Sequence, residues 1–287
     1  MDKNFIHTIP LLLFTSLAII SVGMMFGAVY LLYYGLNESN VLFLYVVSFI
    51  SICAGLIISL LHLGKKMRVM RSILGLPHSW LSFEVVFAGI FAASVGLALL
   101  SLYFRQSSLF IEGFAISGLI SGMLLMFTIG MVYNLTIRKT WKGIINILAP
   151  LSAALLLGSF ALVFKGKTYS PRWEFYLIWG FDFLLFAGRY ILYNINPMEK
   201  RPYIFTDLIE KTRYAFNVRF MLSIVFLYII LKSLPFFIVN WFIALLIPIA
   251  LIILDRFCLY ASTLEFSPKT EIATLKEERM RDCIPGD

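Results

Sequence analysis

Apolar segments long enough to cross a membrane recur along this 287-residue chain, and they constrain its fold more than any other feature. A helix needs about 20 predominantly apolar residues to span a bilayer. Segments of about that size occur at 9–34, 41–63, 81–104, 114–137, 144–164, 175–193, 216–232 and 236–260. The sequence therefore predicts an all-α, polytopic membrane protein, a bundle of about eight transmembrane helices.

Composition and loop length agree with this prediction. Hydrophobic residues make up 60% of the chain and charged residues 14%, whereas soluble domains have about half and about a quarter. The longest polar stretches between segments, 64–80 and 194–215, are too short to form a second globular domain. We therefore expect one transmembrane bundle, residues 1–264, followed by a polar C-terminal tail, residues 265–287.

Basic residues outnumber acidic ones, 24 to 16. In a multi-pass protein such residues collect in cytoplasmic loops, so the excess does not indicate nucleic-acid binding. If the chain crosses the membrane eight times, all but five of the 24 lysines and arginines fall on the face that carries both termini. The five on the opposite face are Arg105, Lys165, Lys167, Arg172 and Lys232. The positive-inside rule then predicts that both termini are cytoplasmic.

Ionisable and aromatic polar residues gather at the segment ends on that same face. His62 ends the second segment, and Glu84 lies about one turn inside the third. The set also includes Tyr133, Asn134, Arg189, Tyr193, Arg219, Asp255, Arg256 and Tyr260. Because ionisable residues at membrane depth usually line a cavity or contact each other, we interpret this collection as a candidate site. Taken alone, His62 could instead cap a helix end, and Glu84 could reach toward headgroup water.

Two acid–base pairs in the later segments have their own interpretations. Asp182 and Arg189 lie two turns apart on nearly the same face of the sixth segment. We interpret them as a buried structural pair, direct or through a third group, with a proton path as the alternative. Asp255 and Arg256 are adjacent and point in different directions on a helix, which predicts separate contacts and not a mutual salt bridge.

Metal, haem and hydrolytic chemistry find little support in the sequence. Its three histidines cannot readily supply two ligands to a haem between helices. Its three cysteines lack the spacing of a metal site or a disulfide framework. No catalytic triad, zinc motif or phosphate-binding loop occurs in a usable context. We therefore expect no haem and no metal in this chain.

Short motifs occur in a distinctive order along the first half of the chain. They are His7-Thr8-Ile9-Pro10-Leu11, Phe14-Thr15, His62-Leu63-Gly64 with Met67-Arg68, Ser79-x-Leu81-Ser82-x-Glu84, Val132-Tyr133-Asn134 and Thr140-Trp141. In this order they resemble the motifs of the membrane anchor subunit of bacterial dimethyl sulfoxide reductase. Beyond Gly143 the resemblance thins to Arg219 and to Arg256 with Tyr260, and Ile252 stands where the family often carries a carboxylate.

The resemblance implies an anchor in the bacterial cytoplasmic membrane that serves anaerobic respiration. Such an anchor binds and oxidises menaquinol, and the electrons pass to an iron–sulfur subunit and then to a molybdopterin catalytic subunit. The family's quinol-site histidine and glutamate correspond to His62 and Glu84. Arg68 and Tyr133 are weaker candidates for orienting the quinol or for docking.

Quinol oxidation needs a hydrogen-bond partner for a ring oxygen and a group that accepts a proton near neutral pH. His62 is our candidate for the first role and Glu84 for the second. Lys65, Lys66 and Arg71 either anchor the chain in the membrane or form a docking surface for an acidic partner or anionic lipid. Two hypotheses compete with this one. The chain could be a transporter or receptor that acts alone through the same site, or it could be a purely structural tether.

Overall fold

The computed structural model describes residues 3–33, 38–62, 79–134, 143–163, 173–195, 214–225 and 241–261, and within these ranges it contains helices and no strand. The helices are α1 (Lys3–Tyr33), α2 (Glu38–His62), α3 (Trp80–Tyr103), α4 (Ser108–Asn134), α5 (Ile144–Val163), α6 (Trp173–Ile195), α7 (Tyr214–Val225) and α8 (Trp241–Ala261). The prediction of an all-helical chain with about eight helices is confirmed. The predicted boundary near residue 235 and the C-terminal tail lie outside the described residues.

Among the described residues, four helices are long and apolar enough to cross a membrane. By length and composition these spans are Ile9–Tyr33, Asn40–Leu60, Trp80–Tyr103 and Ser108–Val132, which belong to α1 through α4. Shorter apolar helical stretches occur at Ile144–Ser159 and Tyr214–Val225. The longest apolar helices among the described residues therefore belong to the first half of the chain.

Helix α4 begins earlier than the apolar pattern predicts, at Ser108 instead of residue 114. The pattern excluded the first residues because they include the charged Glu112, but that side chain is exposed and costs the helix little. A tight connection precedes it. The Phe104 N–H donates to the Leu100 carbonyl over 2.9 Å, and Arg105 adopts a left-handed backbone with φ 52°. This connection turns α4 back against α3.

Helix α1 lies at the centre of the bundle, where it packs against α2, α4, α5 and α8. Small residues permit this close approach. The Ser21 hydroxyl donates to the Ser48 carbonyl over 2.6 Å, and the Ser48 hydroxyl donates to the Ser21 carbonyl over 2.8 Å. These reciprocal bonds fix α1 against α2. A Cβ added at Gly23 would lie 2.8 Å from the Ala154 carbonyl oxygen, so the backbones of α1 and α5 are nearly in contact.

Gly130 makes the closest approach between α4 and α5. A Cβ at this position would lie 2.5 Å from the Ile147 carbonyl oxygen, and a backbone atom cannot move aside as a side chain can. We expect Gly130→Ala to lower the free energy of unfolding by about 1–3 kcal/mol, measured as a lower unfolding midpoint in detergent. Gly113→Ala in the same helix is the matched control, since nothing lies within 4 Å of its added Cβ. Equal losses in both variants would contradict this packing.

Candidate functional site

Glu84 is the buried carboxylate of the N-terminal part of α3. It lies on the buried face of that helix, in line with Ala88, Phe91 and Val95, and only 4% of its surface is exposed. Within the described ranges, no hydrogen bond or salt bridge reaches its carboxylate. An ionisable group at membrane depth is costly, and one without a protein partner is a candidate for a functional role.

A second polar group near Glu84 also lacks a partner. The Ser82 hydroxyl is buried, and it makes no hydrogen bond to any residue that the structure describes. Buried polar groups are normally satisfied by protein, water or ligand. Two unsatisfied groups within one turn of α3 therefore point to something polar beside this end of the helix.

The register between α2 and α3 brings the end of α2 to about the level of Glu84. The two helices pack together, and the Phe49 ring lies 2.9 Å from the position of a Cβ added at Gly96. Glu84 is 12 residues before Gly96 (96 − 84), and 12 residues after Phe49 (49 + 12) is Leu61. Because consecutive membrane spans run antiparallel, the backbone of His62, next to Leu61, lies at about the same depth as that of Glu84.

The side chains of the other predicted site residues are not among those that the structure describes. The side chains of His62 and Tyr133 lie outside the described part, and so do Lys65, Lys66, Arg68 and Arg71. The convergence of His62 and Glu84 at one ligand, and the roles given to the other residues, stay predictions.

Aromatic rings surround the start of α3. Trp80 meets the Phe83 ring with centroids 5.8 Å apart, and it meets Phe127 of α4 edge-on at 5.9 Å. Phe83 in turn stacks on Phe87 at 6.1 Å. Flat apolar rings next to a buried carboxylate form a surface on which another flat ring could stack.

Three residues that the sequence analysis singled out join helices in the structure. The Asn134 Oδ1 accepts the N–H of Gly143 over 2.7 Å, which ties the end of α4 to the start of α5. The Thr15 hydroxyl of α1 lies 3.3 Å from the Tyr260 hydroxyl of α8, and both side chains are buried. These contacts give Thr15, Asn134 and Tyr260 structural roles.

Besides Glu84, the bundle contains a group of buried ionisable side chains on α6, α7 and α8. This group also contacts α5 through Ser152. Arg219 donates to Asp182 over 2.7 Å, and the Ser152 hydroxyl donates to the same carboxylate over 3.0 Å. Arg189 forms a salt bridge with Asp255. Arg256 also donates to Asp255, over 3.0 Å. All five ionisable side chains are buried, and we call Asp182, Arg189, Arg219, Asp255 and Arg256 the charge cluster.

The charge cluster corrects one prediction and refines another. The prediction that Asp255 and Arg256 make separate contacts is wrong. Their Cβ atoms diverge, but the arginine side chain is long enough to return to a carboxylate that Arg189 already contacts. Asp182 and Arg189 are both buried in ion pairs, yet they pair with residues of α7 and α8 and not with each other. Sequence reasoning also missed Ser152, an uncharged residue in an apolar segment.

Metal-binding side chains form no cluster in the part of the chain that the structure describes. No set of three or more His, Cys, Asp or Glu side chains there could hold a metal ion. The described groups at the start of α3 are a carboxylate, a hydroxyl and aromatic rings.

One comparison with known proteins gives a match that covers most of the chain. The sequence matches the profile of the family described as DMSO reductase anchor subunit (DmsC) over residues 1–260, which include nearly all of the eight helices. A comparison with curated proteins finds no match. An anchor subunit is embedded in the membrane and associates with the catalytic subunits of its reductase. The chain therefore belongs to the DMSO reductase anchor subunit (DmsC) family.

Proposed function

We propose that this anchor binds menaquinol between the end of α2 and the start of α3 and oxidises it for anaerobic respiration. The electrons would then pass to an iron–sulfur subunit and on to a molybdopterin catalytic subunit. One observation carries the proposal: Glu84 is buried, and no residue in the described ranges pairs with its carboxylate. A bound quinol hydroxyl would supply the missing partner.

The proposed reaction assigns one task to each residue. Oxidation of menaquinol to menaquinone breaks two O–H bonds and releases two electrons and two protons. The Glu84 carboxylate accepts the proton of one hydroxyl, and His62 hydrogen-bonds the other ring oxygen, whose proton leaves to water at the membrane face. The two electrons leave one at a time, because an iron–sulfur cluster accepts a single electron, and neither residue changes its oxidation state. The iron–sulfur subunit must therefore dock within electron-transfer distance.

The surroundings of Glu84 support a flat, apolar substrate. Trp80, Phe83 and Phe87 of α3, with Phe127 of α4, present aromatic rings at this end of the bundle. Offset stacking on such rings favours a naphthoquinol ring. The Ser82 hydroxyl is a further hydrogen-bonding group at this end of α3.

The proposed orientation puts both termini and the quinol site toward the cytoplasmic face of the bacterial inner membrane. Lys65, Lys66 and Arg71 would contact an acidic surface of the partner subunits, with Arg68 and Tyr133 nearer the quinol. The alternative for the basic residues is contact with anionic lipid. If the charge bias reflects partner docking and not membrane insertion, the catalytic subunits lie on the outer face.

His62→Gln should lower quinol-dependent reductase activity by about tenfold, because the altered side chain weakens one hydrogen bond to the quinol. If His62 chiefly binds and orients the quinol, the lower activity should appear mainly as a higher KM for quinol. Activity with a soluble viologen donor, which reduces the partner subunits directly, is the control and should be unchanged. Unchanged quinol kinetics in this variant would remove His62 from the site.

A transporter or receptor acting alone through the same site is the competing function, and reconstitution separates the two. The full chain alone in proteoliposomes should neither transport solutes nor oxidise quinol. Quinol oxidation should appear when the reductase subunits are added. Solute movement driven by the chain alone would favour the transporter.

A further inference from the structure

The charge cluster has more positive than negative groups. It contains three arginines and two aspartates, so its formal charge is +1 (3 − 2). The most deeply buried member is Arg256, with 1% of its surface exposed, and the other four are exposed by 6% or less. A buried charge without compensation is strongly unfavourable in a low-dielectric interior.

The two aspartates already pair with the three arginines of the cluster. Asp182 accepts from Ser152 on Oδ1 and from Arg219 on Oδ2. Asp255 accepts from Arg189 on Oδ1 and from Arg256 on Oδ2. Each carboxylate oxygen therefore already has one donor, and among the described residues two negative charges stand against three positive ones.

Each arginine of the cluster retains a donor without an acceptor. These donors are Arg189 Nη1, Arg219 Nε and Arg256 Nε, all buried and all without a hydrogen-bond partner in the described part of the chain. The guanidinium of Arg219 packs on the face of Phe186, with Cζ 4.4 Å from the ring centroid. That contact favours a cation but does not use the Nε–H.

The three ion pairs form one electrostatic unit inside the bundle. Arg219 is close enough to act on the charges of both Arg189 and Asp255. Asp182 is nine residues from the start of α6 (182 − 173), or about 13 Å at 1.5 Å per residue. Arg189, Arg219 and Asp255 are five or six residues, or about 8–9 Å, from the nearer ends of their helices. The excess charge is therefore buried inside the bundle within about two turns of that end.

We propose that the charge cluster binds one small monovalent anion such as chloride. One negative charge makes the cluster neutral, whereas a divalent anion would reverse its charge. Water could accept the free N–H groups but would leave the positive charge uncompensated. This site is separate from the proposed quinol site, and its function is to hold α6, α7 and α8 together.

The test compares unfolding of the full chain in detergent at constant ionic strength, with sodium gluconate replaced stepwise by sodium chloride. The chain's five tryptophans report unfolding. The unfolding midpoint should rise by an equal increment for each tenfold increase in chloride above the dissociation constant. Bromide should act similarly and sulfate should not. A midpoint independent of chloride, with no binding of radiolabelled chloride, would overturn the proposal and indicate a site filled by water.

Two variants remove the need for the anion in different ways. Cys258 is fully buried and lies close enough to interact electrostatically with Arg189 and Arg219, so Cys258→Asp supplies a fixed negative charge. Arg256→Gln removes the excess positive charge while Asp255 keeps Arg189. Both variants should lose the chloride-dependent shift and the bound label.

Matched controls keep the charge of the cluster unchanged. Cys258→Ser changes the same position without adding charge, and Arg105→Gln removes an exposed arginine at the turn between α3 and α4. Both controls should retain the full chloride response. Should Cys258→Asp fail to fold, Arg256→Gln still decides the question. A wild-type response in whichever of these two variants folds would overturn the proposal.

Discussion

Glu84→Gln should reduce quinol-dependent reductase activity by about 100- to 10,000-fold, the range of a lost general acid–base group. Glutamine keeps the size of the side chain and can still hydrogen-bond a quinol hydroxyl, but it cannot accept its proton. The effect should therefore appear mainly in kcat. Because Glu84 has no protein partner in the described ranges, the substitution breaks no ion pair there, and the complex should assemble normally.

The measurement compares two electron donors in the same membranes. A menaquinol analogue enters through the anchor, whereas a soluble viologen reduces the partner subunits directly, so only the first rate should fall. Glu112→Gln in α4 is the matched control, since it makes the same chemical change at an exposed position. Full quinol activity in Glu84→Gln would refute a proton-accepting role for this residue.

Asp255→Asn should destabilise the bundle by about 3–5 kcal/mol, the cost of breaking a buried ion pair from one side. Asp255 pairs with both Arg189 and Arg256, so its removal leaves two buried guanidinium groups without a counter-charge. We expect a lower unfolding midpoint and less folded protein in the membrane. Both readouts should be unchanged in Glu112→Gln.

A double-mutant cycle separates loss of the ion pair from general damage. Removing Arg189 as well, in Asp255→Asn with Arg189→Gln, should cost less than the sum of the two single losses because one uncompensated charge disappears. Strictly additive losses would show that the two side chains do not interact in the folded protein.

The helical architecture follows from the sequence because apolar length is a local property. Segments of about membrane thickness predict the positions of α2 and α3 closely, and also the apolar span Ile9–Tyr33 of α1, although that helix itself begins six residues earlier (9 − 3), at Lys3. The start of α4 was placed six residues late (114 − 108), because a single charge at an exposed helix end resembles a loop in the pattern. The sequence carries no comparable sign of the central position of α1, which depends on contacts with four other helices.

The pairing within the charge cluster could not be predicted from the sequence because its partners are distant in the chain. Asp182 and Arg219 are 37 residues apart, and Arg189 and Asp255 are 66 apart. The sequence around each of these residues does not indicate which distant partner it takes. In addition, the rule that adjacent helix residues point in different directions does not account for the length of an arginine side chain. By contrast, the burial of Glu84 follows from its position one turn inside an apolar helix.

The central claim is that a quinol binds where α2 ends and α3 begins, and photolabelling with an azidoquinone tests it most directly. The assembled complex is illuminated with the probe, and the labelled peptides are identified by mass spectrometry. The account predicts label in the peptides that contain His62 and residues 80–87, and an excess of menaquinol should displace it. Label confined to other helices, such as α6 to α8, or label that menaquinol does not displace, would contradict the claim.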